Sequence, residues 1–252
     1  MRIDLNCDMG ESWYDRQVGQ DKAIMPLISS CNLACGFHGG DALSMQRTIG
    51  WALAAGVAIG AHPSYPDRKH FGRRELSLPL DNLSALLQYQ IAALQGMVIQ
   101  QGGQLQHLKA HGALYHRAAS DPELANILAQ LARDFSIPIL FGPPHSALTS
   151  AAEAYGLDFA AEGFIDRTYE ADLRLRSRQL AGAILEDPTQ AAAQALQLAA
   201  DGRVRDCYGQ QHDLAVQTLC VHGDNPQSLA ILRAVHDSLS QAGISVLAPG
   251  IS

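Results

Sequence analysis

Short apolar runs that end in polar clusters, each followed by a helix-like segment, recur along the whole chain. The runs are brief, carry few charges and are bounded by turn residues, as is typical of strands buried in a parallel sheet. Since consecutive parallel strands need a helix to cross over between them, this alternation predicts a parallel α/β architecture. Seven runs are recognisable, at residues 3–5, 28–33, 57–59, 105–108, 137–141, 159–164 and 218–221.

The segments between the runs carry the apolar spacing and the end signals of amphipathic helices. Residues 83–99 repeat large apolar side chains at intervals of three and four, which indicates a stripe packed against a sheet. Helix starts are predicted at Asp187 and Asn225, each of which precedes a proline, and at a capping box over residues 120–123. Residues 204–216 break the rhythm and predict a hairpin or an extended detour before the last strand.

The choice between an open sheet and a closed barrel rests on where the polar residues fall. An open dinucleotide-binding sheet would carry G-x-G-x-x-G after its first strand, and the sequence has neither this motif nor a glycine-lysine phosphate loop. Polar residues instead follow nearly every strand, and a closed barrel brings many strand ends round one mouth. We therefore predict an irregular (β/α)7 barrel that forms a single domain over residues 1–252.

Composition excludes several classes of protein. With 47% hydrophobic and 17% charged residues among 252, the chain has enough apolar material for a large core. A formal net charge of -7 disfavours nucleic-acid binding, and no apolar stretch approaches the roughly 20 residues that a bilayer requires. The start of the chain lacks a signal-peptide layout and the cysteine count of 5 is odd, so we expect a cytoplasmic protein without disulfides.

The first strand leads into a carboxylate-rich segment. With Leu5 and Cys7 toward the helices, alternation would direct the Asn6 amide and the Asp8 carboxylate into the barrel mouth. Asp8 is then a candidate base or metal ligand. The structural alternative is that Asp8 caps the next turn and Glu11 is solvated.

Two histidines follow the second and third strands. His38 precedes two glycines, which let a ligand or the backbone approach closely, and His62 lies in a loop that prolines hold in place. With Asp8 they could supply a carboxylate and two imidazoles to a catalytic divalent metal. A structural zinc site of Cys31, Cys35 and His38 is the less favoured interpretation, because no second Cys/His pair follows at zinc-ribbon or zinc-finger spacing, and we expect both cysteines to be buried thiols.

The loop after the third strand continues to Pro79 and includes Arg73 and Arg74. It could form a lid whose arginines clamp a carboxylate or a phosphate. Solvation of both arginines is the simpler interpretation.

The fourth strand has the sharpest alternation in the chain. His107, Lys109 and His111 share one face, and Leu108 and Ala110 share the other. A lysine directed into a barrel mouth is costly to bury unless it is paired. We expect Lys109 to meet a carboxylate, a phosphate or a substrate anion.

The last two strand ends supply further candidates. Glu162 or Asp166 could neutralise Lys109 across the mouth. His222 follows the final strand and is expected to face inward, whereas Asp224 could serve as a helix cap. Acid–base chemistry with anion recognition is the general interpretation of these groups.

Six segments resemble the signatures of the LamB/YcsF family, in matching order along residues 2–248. They are DLNCDMGE (4–11), NLACGFH (32–38), GAHPSYPD (60–67), HLKAHGALY (107–115), DRTY (166–169) and CVHGD (220–224). The resemblance implies a (β/α)7 barrel of the glycoside hydrolase/deacetylase type. It also implies an ATP-dependent 5-oxoprolinase complex, completed by subunits B and C, that opens the 5-oxoproline lactam to L-glutamate.

The implied reaction suggests roles for the candidate residues. Lys109 and Arg167 would hold the substrate carboxylate or the phosphoryl group, Asp8 would act as base, and the mouth histidines would relay protons or bind a metal. The candidate catalytic residues are Asp8, His38, His62, Lys109, His111, Glu162, Asp166 and His222. The candidate substrate-binding or phosphate-binding residues are Asn6, Glu11, Arg73, Arg167 and Asp224.

Two other functions stay open at the level of sequence. One is a metal-dependent deacetylase or other amidohydrolase that needs no ATP, and the other is a non-catalytic protein of the complex that binds the substrate and docks partners. ATP is the implied co-substrate, with Mg2+. Because the sequence has no phosphate loop, ATP would bind at an atypical site here or on a partner protein.

Overall fold

Seven parallel strands close into a barrel in the computed structural model, which describes residues 1–250. In chain order the strands are β1 (Arg2–Met9), β2 (Ser30–Ala34), β3 (Ala58–His62), β4 (Leu105–Leu108), β5 (Ile139–Gly142), β6 (Asp158–Phe164), β7 (Arg203–Arg205), β8 (Gln211–Asp213), β9 (Thr218–Val221) and β10 (Ser245–Val246). The barrel consists of β1 to β6 and β9, and it closes because β1 pairs with both β2 and β9. The predicted seven-strand barrel is confirmed.

Helices cover the outside of the barrel between successive strands. They are α1 (Asp21–Ile24), α2 (Ala42–Ala55), α3 (Leu80–Gln100), α4 (Gly112–Ser120), α5 (Pro122–Asp134), α6 (Ala147–Tyr155), α7 (Pro188–Asp201) and α8 (Ser228–Gln241), with 3-10 turns at Met25–Leu27 and Arg68–His70. The predicted stripe on α3 is buried at Leu83, Leu87, Ile91, Leu94 and Val98. Burial of such stripes against the strands is what holds each crossover in place.

One of the three predicted helix starts is correct. Asp187 caps α7, and its side chain accepts a hydrogen bond from the Thr189 amide. The capping box at 120–123 is wrong: Ser120 is the last residue of α4, and it is Asp121 that caps α5.

The predicted start at Asn225 is also wrong, as is a capping role for Asp224. The Asn225 side chain accepts from the Gln227 amide and forms a turn, and α8 begins only at Ser228 with no side-chain cap. The Asp224 carboxylate is instead paired with Arg73. The turn therefore delays the helix and leaves the strand-end residues free to face the mouth.

Two short pairings lie outside the barrel wall. β7 and β8 pair antiparallel, so of the two alternatives predicted for residues 204–216, a hairpin or an extended detour, the structure has the hairpin. The two-residue strand β10 pairs with the first residues of β1 and was not predicted, because its apolar content is too short to form a pattern.

The barrel interior is polar along β1. Asp4, Asn6 and Asp8 alternate with buried apolar residues, and all three make their hydrogen bonds across the interior. Burial raises the pKa of Asp4 to about 6, even though the hydroxyls of Ser29, Ser30 and Thr218 donate to its carboxylate. The inward orientation predicted for Asn6 and Asp8 is thus confirmed and begins one step earlier, at Asp4.

A glycine on β3 makes room for a ring inside the barrel. A Cβ at Gly60 would lie 2.0 Å from His107 Nε2, so only glycine lets this imidazole cross the interior. There His107 Nε2 donates to Asn32 Oδ1 over 2.7 Å and the ring stacks on Phe141. The packed interior supports the mouth above it.

All five cysteines are unpaired thiols, and four of them are buried. Among residues 1–250, none of the helices combines the length and the apolar character needed to cross a bilayer.

Candidate active site

An ion cluster centred on Lys109 lies at the carboxyl ends of the barrel strands. Lys109 Nζ is 2.7 Å from Glu162 Oε1 and 3.1 Å from Asp8 Oδ1. It also donates to Asn6 Oδ1 over 3.3 Å and to the Cys220 sulfur over 3.1 Å. Side chains from β1, β6 and β9 thus converge on one ammonium group, and only 2% of the lysine is exposed.

The charges of this cluster sustain one another. Burial opposes ionisation of Asp8, but His62 and Lys109 hold its pKa well below the ordinary value. Burial likewise disfavours the Lys109 ammonium, while Asp8, Cys220 and Glu162 raise its pKa well above the usual value. Asp8 is therefore a carboxylate and Lys109 an ammonium at neutral pH. Of the two predicted partners of Lys109, the structure selects Glu162.

Two asparagines align the cluster. Asn6 Nδ2 donates to Glu162 Oε1 over 3.0 Å, and Asn32 Nδ2 donates to Asp8 Oδ1 over 2.8 Å. Asn32 Nδ2 also reaches Asn6 Oδ1 at 2.7 Å, which ties the two amides together. The carboxylate oxygens are consequently held by fixed donors as well as by Lys109.

Three histidine rings gather beside Asp8. His62 Nδ1 donates to the Lys109 carbonyl over 2.8 Å, and His111 Nε2 donates to the Phe71 carbonyl over 2.8 Å. A carbonyl can only accept, so these bonds fix both tautomers. The His62 Nε2 and His111 Nδ1 atoms then face each other at 3.0 Å, and Asp8 Oδ2 is 3.4 Å from His62 Nε2.

Glu11 and His38 complete the histidine cluster. His38 Nε2 is 3.0 Å from Glu11 Oε1, and the His38 ring stacks on His111 with centroids 3.7 Å apart. Burial lowers the pKa of both His38 and His111 well below 6.5, and it raises the pKa of Glu11. One ring nitrogen from each of His38, His62 and His111 and one carboxylate oxygen of Glu11 lie within 4.8 Å of one another.

This set differs from the three metal ligands considered from sequence. His38 and His62 belong to both sets, but Asp8 Oδ1 is bonded to Lys109 and Asn32. Glu11 and His111 take the remaining places in the buried group. The cluster gives the chain a potential N3O metal site.

An aspartate–histidine dyad lies just after the ends of β6 and β9. His222 Nδ1 donates to Asp166 Oδ1 over 2.9 Å, and the His222 amide donates to Asp166 Oδ2 over 3.1 Å. Burial opposes ionisation of Asp166, but the His222 ring and its hydrogen bonds keep the pKa of Asp166 below its usual value. With Nδ1 bound, His222 presents Nε2 on the ring edge that remains partly exposed at the mouth.

Arginines surround Asp224 at the rim. Arg73 Nη2 is 2.5 Å from Asp224 Oδ2, and Arg178 Nη1 is 3.7 Å from the same oxygen. The Arg73 guanidinium also lies over the Phe71 ring at 4.9 Å. Two cations against one carboxylate leave this rim with an excess positive charge, whereas the Lys109 cluster below it has an excess negative charge.

Arg167 holds a long loop rather than the ion cluster. Its Nε donates to the Ala183 carbonyl over 3.1 Å and its Nη2 to the Arg176 carbonyl over 2.6 Å. Burial and the charge of Arg178 lower the pKa of Arg167 to about 10. Both contacts lie in the segment between β6 and α7, so Arg167 shapes one wall of the mouth.

The loop between β3 and α3 packs onto the histidines. Phe71 supplies the carbonyl that orients His111, and Gly72 has a φ of +64. A Cβ at Gly72 would lie 2.8 Å from His111 Cδ2 and 2.9 Å from His38 Cβ, so the loop can approach only as glycine. Of the two arginines predicted for this loop, Arg73 faces Asp224 and Arg74 lies 3.7 Å from Asp67.

Most of the residues singled out from the sequence come together here. Asn32, Cys220 and Arg178 were missed as site residues. The period-two alternation of β2 and β9 could have indicated the first two, because Asn32 and Cys220 share the inward face of their strands. No local signal marks Arg178, which reaches the rim from an irregular loop.

The chain is similar in sequence and in structure to known proteins. The model of the LamB/YcsF family matches residues 3–250. A protein from Bordetella pertussis, named as the A subunit of 5-oxoprolinase, is 47% identical over 247 residues, which cover 98% of each chain. A lactam utilization protein from Thermus thermophilus has a crystal structure with a TM-score of 0.91 and 39% identity, covering 98% of this chain and 100% of that one.

A more distant structure resembles only the fold. It is a family 4 carbohydrate esterase from Streptomyces lividans, with a TM-score of 0.50 and 12% identity over 97% of this chain and 91% of the other. The deacetylase-like barrel expected from the sequence is confirmed by this likeness.

Proposed function

Because the chain belongs to the LamB/YcsF family, we propose that it is the A subunit of a 5-oxoprolinase, which opens the lactam ring of 5-oxo-L-proline to L-glutamate. The observation that carries the proposal is the 47% identity, over 98% of both chains, to a protein with that name. The reaction uses ATP with Mg2+ and requires subunits B and C. The site at the barrel mouth supports a hydrolytic role, because it combines ionised carboxylates, oriented imidazoles and rim cations.

A five-membered lactam is an unreactive amide, which explains the use of ATP. Transfer of the γ-phosphoryl group to the lactam oxygen releases ADP and makes the ring carbon electrophilic. Water adds to that carbon, the C–N bond breaks toward nitrogen, and the nitrogen takes up a proton. A second water then hydrolyses the resulting γ-glutamyl phosphate to glutamate and phosphate.

Asp8 is the proposed base for the attacking water. It is ionised and held in one orientation by Asn32 and Lys109, so it is unprotonated and positioned to accept a proton. Lys109 is already neutralised by two carboxylates, so we assign it to orienting Asp8 and Glu162 rather than to binding a substrate anion. This assignment replaces the anion-binding role expected from sequence.

His222 is the proposed acid for the departing lactam nitrogen. Asp166 binds Nδ1 and thereby leaves Nε2 to exchange protons at the mouth. The pairing resembles the carboxylate–imidazole arrangement by which an oriented histidine transfers protons efficiently. Asp166 is then a positioning residue that acts through His222.

The rim supplies the anion-binding part of the proposal. Arg73 and Arg178 share Asp224, and their excess positive charge suits the carboxylate of 5-oxoproline or a phosphoryl group. Arg167 supports this wall through its two bonds to loop carbonyls. We place the complex in the cytoplasm, where ATP is available and where five unpaired thiols are stable.

The test is glutamate release from 5-oxoproline with ATP and magnesium. The chain alone is compared with the chain plus subunits B and C from the same source. We expect glutamate and ADP only in the complete mixture. Absence of glutamate despite confirmed complex formation would refute 5-oxoproline as the substrate. Hydrolysis of acetamides without ATP would instead favour an amidohydrolase.

A further inference from the structure

We propose that Glu11, His38, His62 and His111 bind one divalent first-row transition-metal ion, through three imidazole nitrogens and one carboxylate oxygen. His62 is the last residue of β3, and Glu11, His38 and His111 lie in the segments that follow β1, β2 and β4. The site does not depend on the lactam reaction and is testable without it.

The hydrogen bonds of His62 and His111 require a cation between the two rings. His62 Nδ1 and His111 Nε2 each donate to a backbone carbonyl, so in the neutral rings His62 Nε2 and His111 Nδ1 both carry lone pairs. These atoms face each other at 3.0 Å, where two lone pairs repel unless a cation lies close to both. Either a proton or a metal ion satisfies that requirement.

The distances fit a metal ion. Ligand bonds of about 2.0–2.1 Å in a tetrahedral site put neighbouring ligand atoms about 3.3–3.4 Å apart. Three of the six pairs bracket that value, with 3.0 Å for His62 and His111, 3.0 Å for His38 and Glu11, and 3.7 Å for His111 and Glu11, and all six pairs lie within 4.8 Å. A proton links only two atoms, whereas four ligand atoms are gathered here.

The surroundings match those of metal-binding histidines. Such histidines usually donate their other ring N–H to a carbonyl or a carboxylate, which is what His62 and His111 do. All four side chains are at least nine-tenths buried, and the His38 Nδ1 atom has no hydrogen-bond partner. A buried polar atom without a partner is costly, and coordination through His38 Nε2 leaves that cost at Nδ1 unchanged, so among the three histidines it is His62 and His111 whose outer hydrogen bonds match those of metal ligands.

Charge balance also favours a bound cation. Asp8 and Glu162 outnumber Lys109 by one negative charge next to the cluster. Burying this excess is unfavourable without a compensating cation.

The test measures metal content and metal affinity in chain produced without a histidine tag. Elemental analysis of the purified chain is followed by removal of metal with a chelator and titration with Co2+, read by visible absorption. Glu11→Gln and His111→Asn are the test variants. His145→Asn is the matched control, because His145 is exposed and has a φ of 57, which asparagine tolerates.

We expect about one equivalent of metal per chain, and at least roughly tenfold weaker Co2+ binding in both test variants. His145→Asn should bind like the wild type. Circular dichroism of each metal-free variant separates loss of a ligand from loss of the fold. The proposal is overturned by a metal content near zero together with no Co2+ spectrum, or by folded test variants that bind as tightly as the control.

Discussion

The ion cluster at Lys109 makes a quantitative prediction about stability. Lys109→Met removes the ammonium that lies 2.7 Å from Glu162 and 3.1 Å from Asp8, and it leaves two buried carboxylates without a cation. Breaking a buried ion pair by deleting one partner costs about 3–5 kcal/mol. At roughly 2–4 °C per kcal/mol for a chain of this size, the melting temperature should fall by roughly 6–20 °C.

The assay is thermal unfolding at neutral pH, with Lys69→Met as the matched control. Lys69 is exposed, so its replacement should leave the melting temperature within about 2 °C of the wild type. The double variant Lys109→Met/Glu162→Gln removes one of the orphaned charges and should recover part of the loss. A Lys109→Met melting temperature indistinguishable from that of Lys69→Met would refute the burial argument.

Three further predictions concern the interior and the dyad. Because the pKa of Asp4 rises from 3.8 to about 6 on folding, its contribution to the free energy of unfolding is present below pH 3.8 and lost as pH rises through about 6. Asp4→Asn does not titrate, so its free energy of unfolding in urea should rise by about 3 kcal/mol relative to that of the wild type between pH 3.8 and pH 6. A difference between the two proteins that does not change with pH would contradict this. Asp166→Asn should lower kcat of the assembled complex by roughly 100-fold, measured at a temperature at which circular dichroism shows the variant folded, since His222 loses its orienting carboxylate; a change below about threefold would rule out the dyad. Gly60→Ala should cost about 1–3 kcal/mol in denaturant unfolding because its Cβ collides with the His107 ring, and wild-type stability would show that the ring can move aside.

The fold could be predicted from the spacing of the short apolar runs. Each barrel strand is a short apolar run, and the crossover helices follow from parallel pairing, so seven strands could be predicted without knowing any contact. Strand alternation also placed Asn6, Asp8 and Lys109 inside, since a period of two assigns faces before any partner is known.

Partners within the mouth were harder to predict than positions. Whether Lys109 would pair with Glu162 or Asp166 depends on barrel geometry, and Asp166 turned instead to His222. Arg167 looked like an anion clamp because its neighbours are polar, but its guanidinium is used by loop carbonyls. Helix starts failed where a side chain found another partner, since the cap preference of an aspartate or asparagine is weaker than a local turn or an ion pair.

The central claim is that chemistry takes place at this barrel mouth, with Asp8 as base. The most direct measurement is steady-state glutamate formation by the assembled complex carrying Asp8→Asn, with co-purification of all its proteins confirming assembly. We expect kcat to fall by at least about 100-fold while KM changes by less than about threefold. An unchanged kcat with a raised KM would contradict it and would give the chain a substrate-binding role without catalysis.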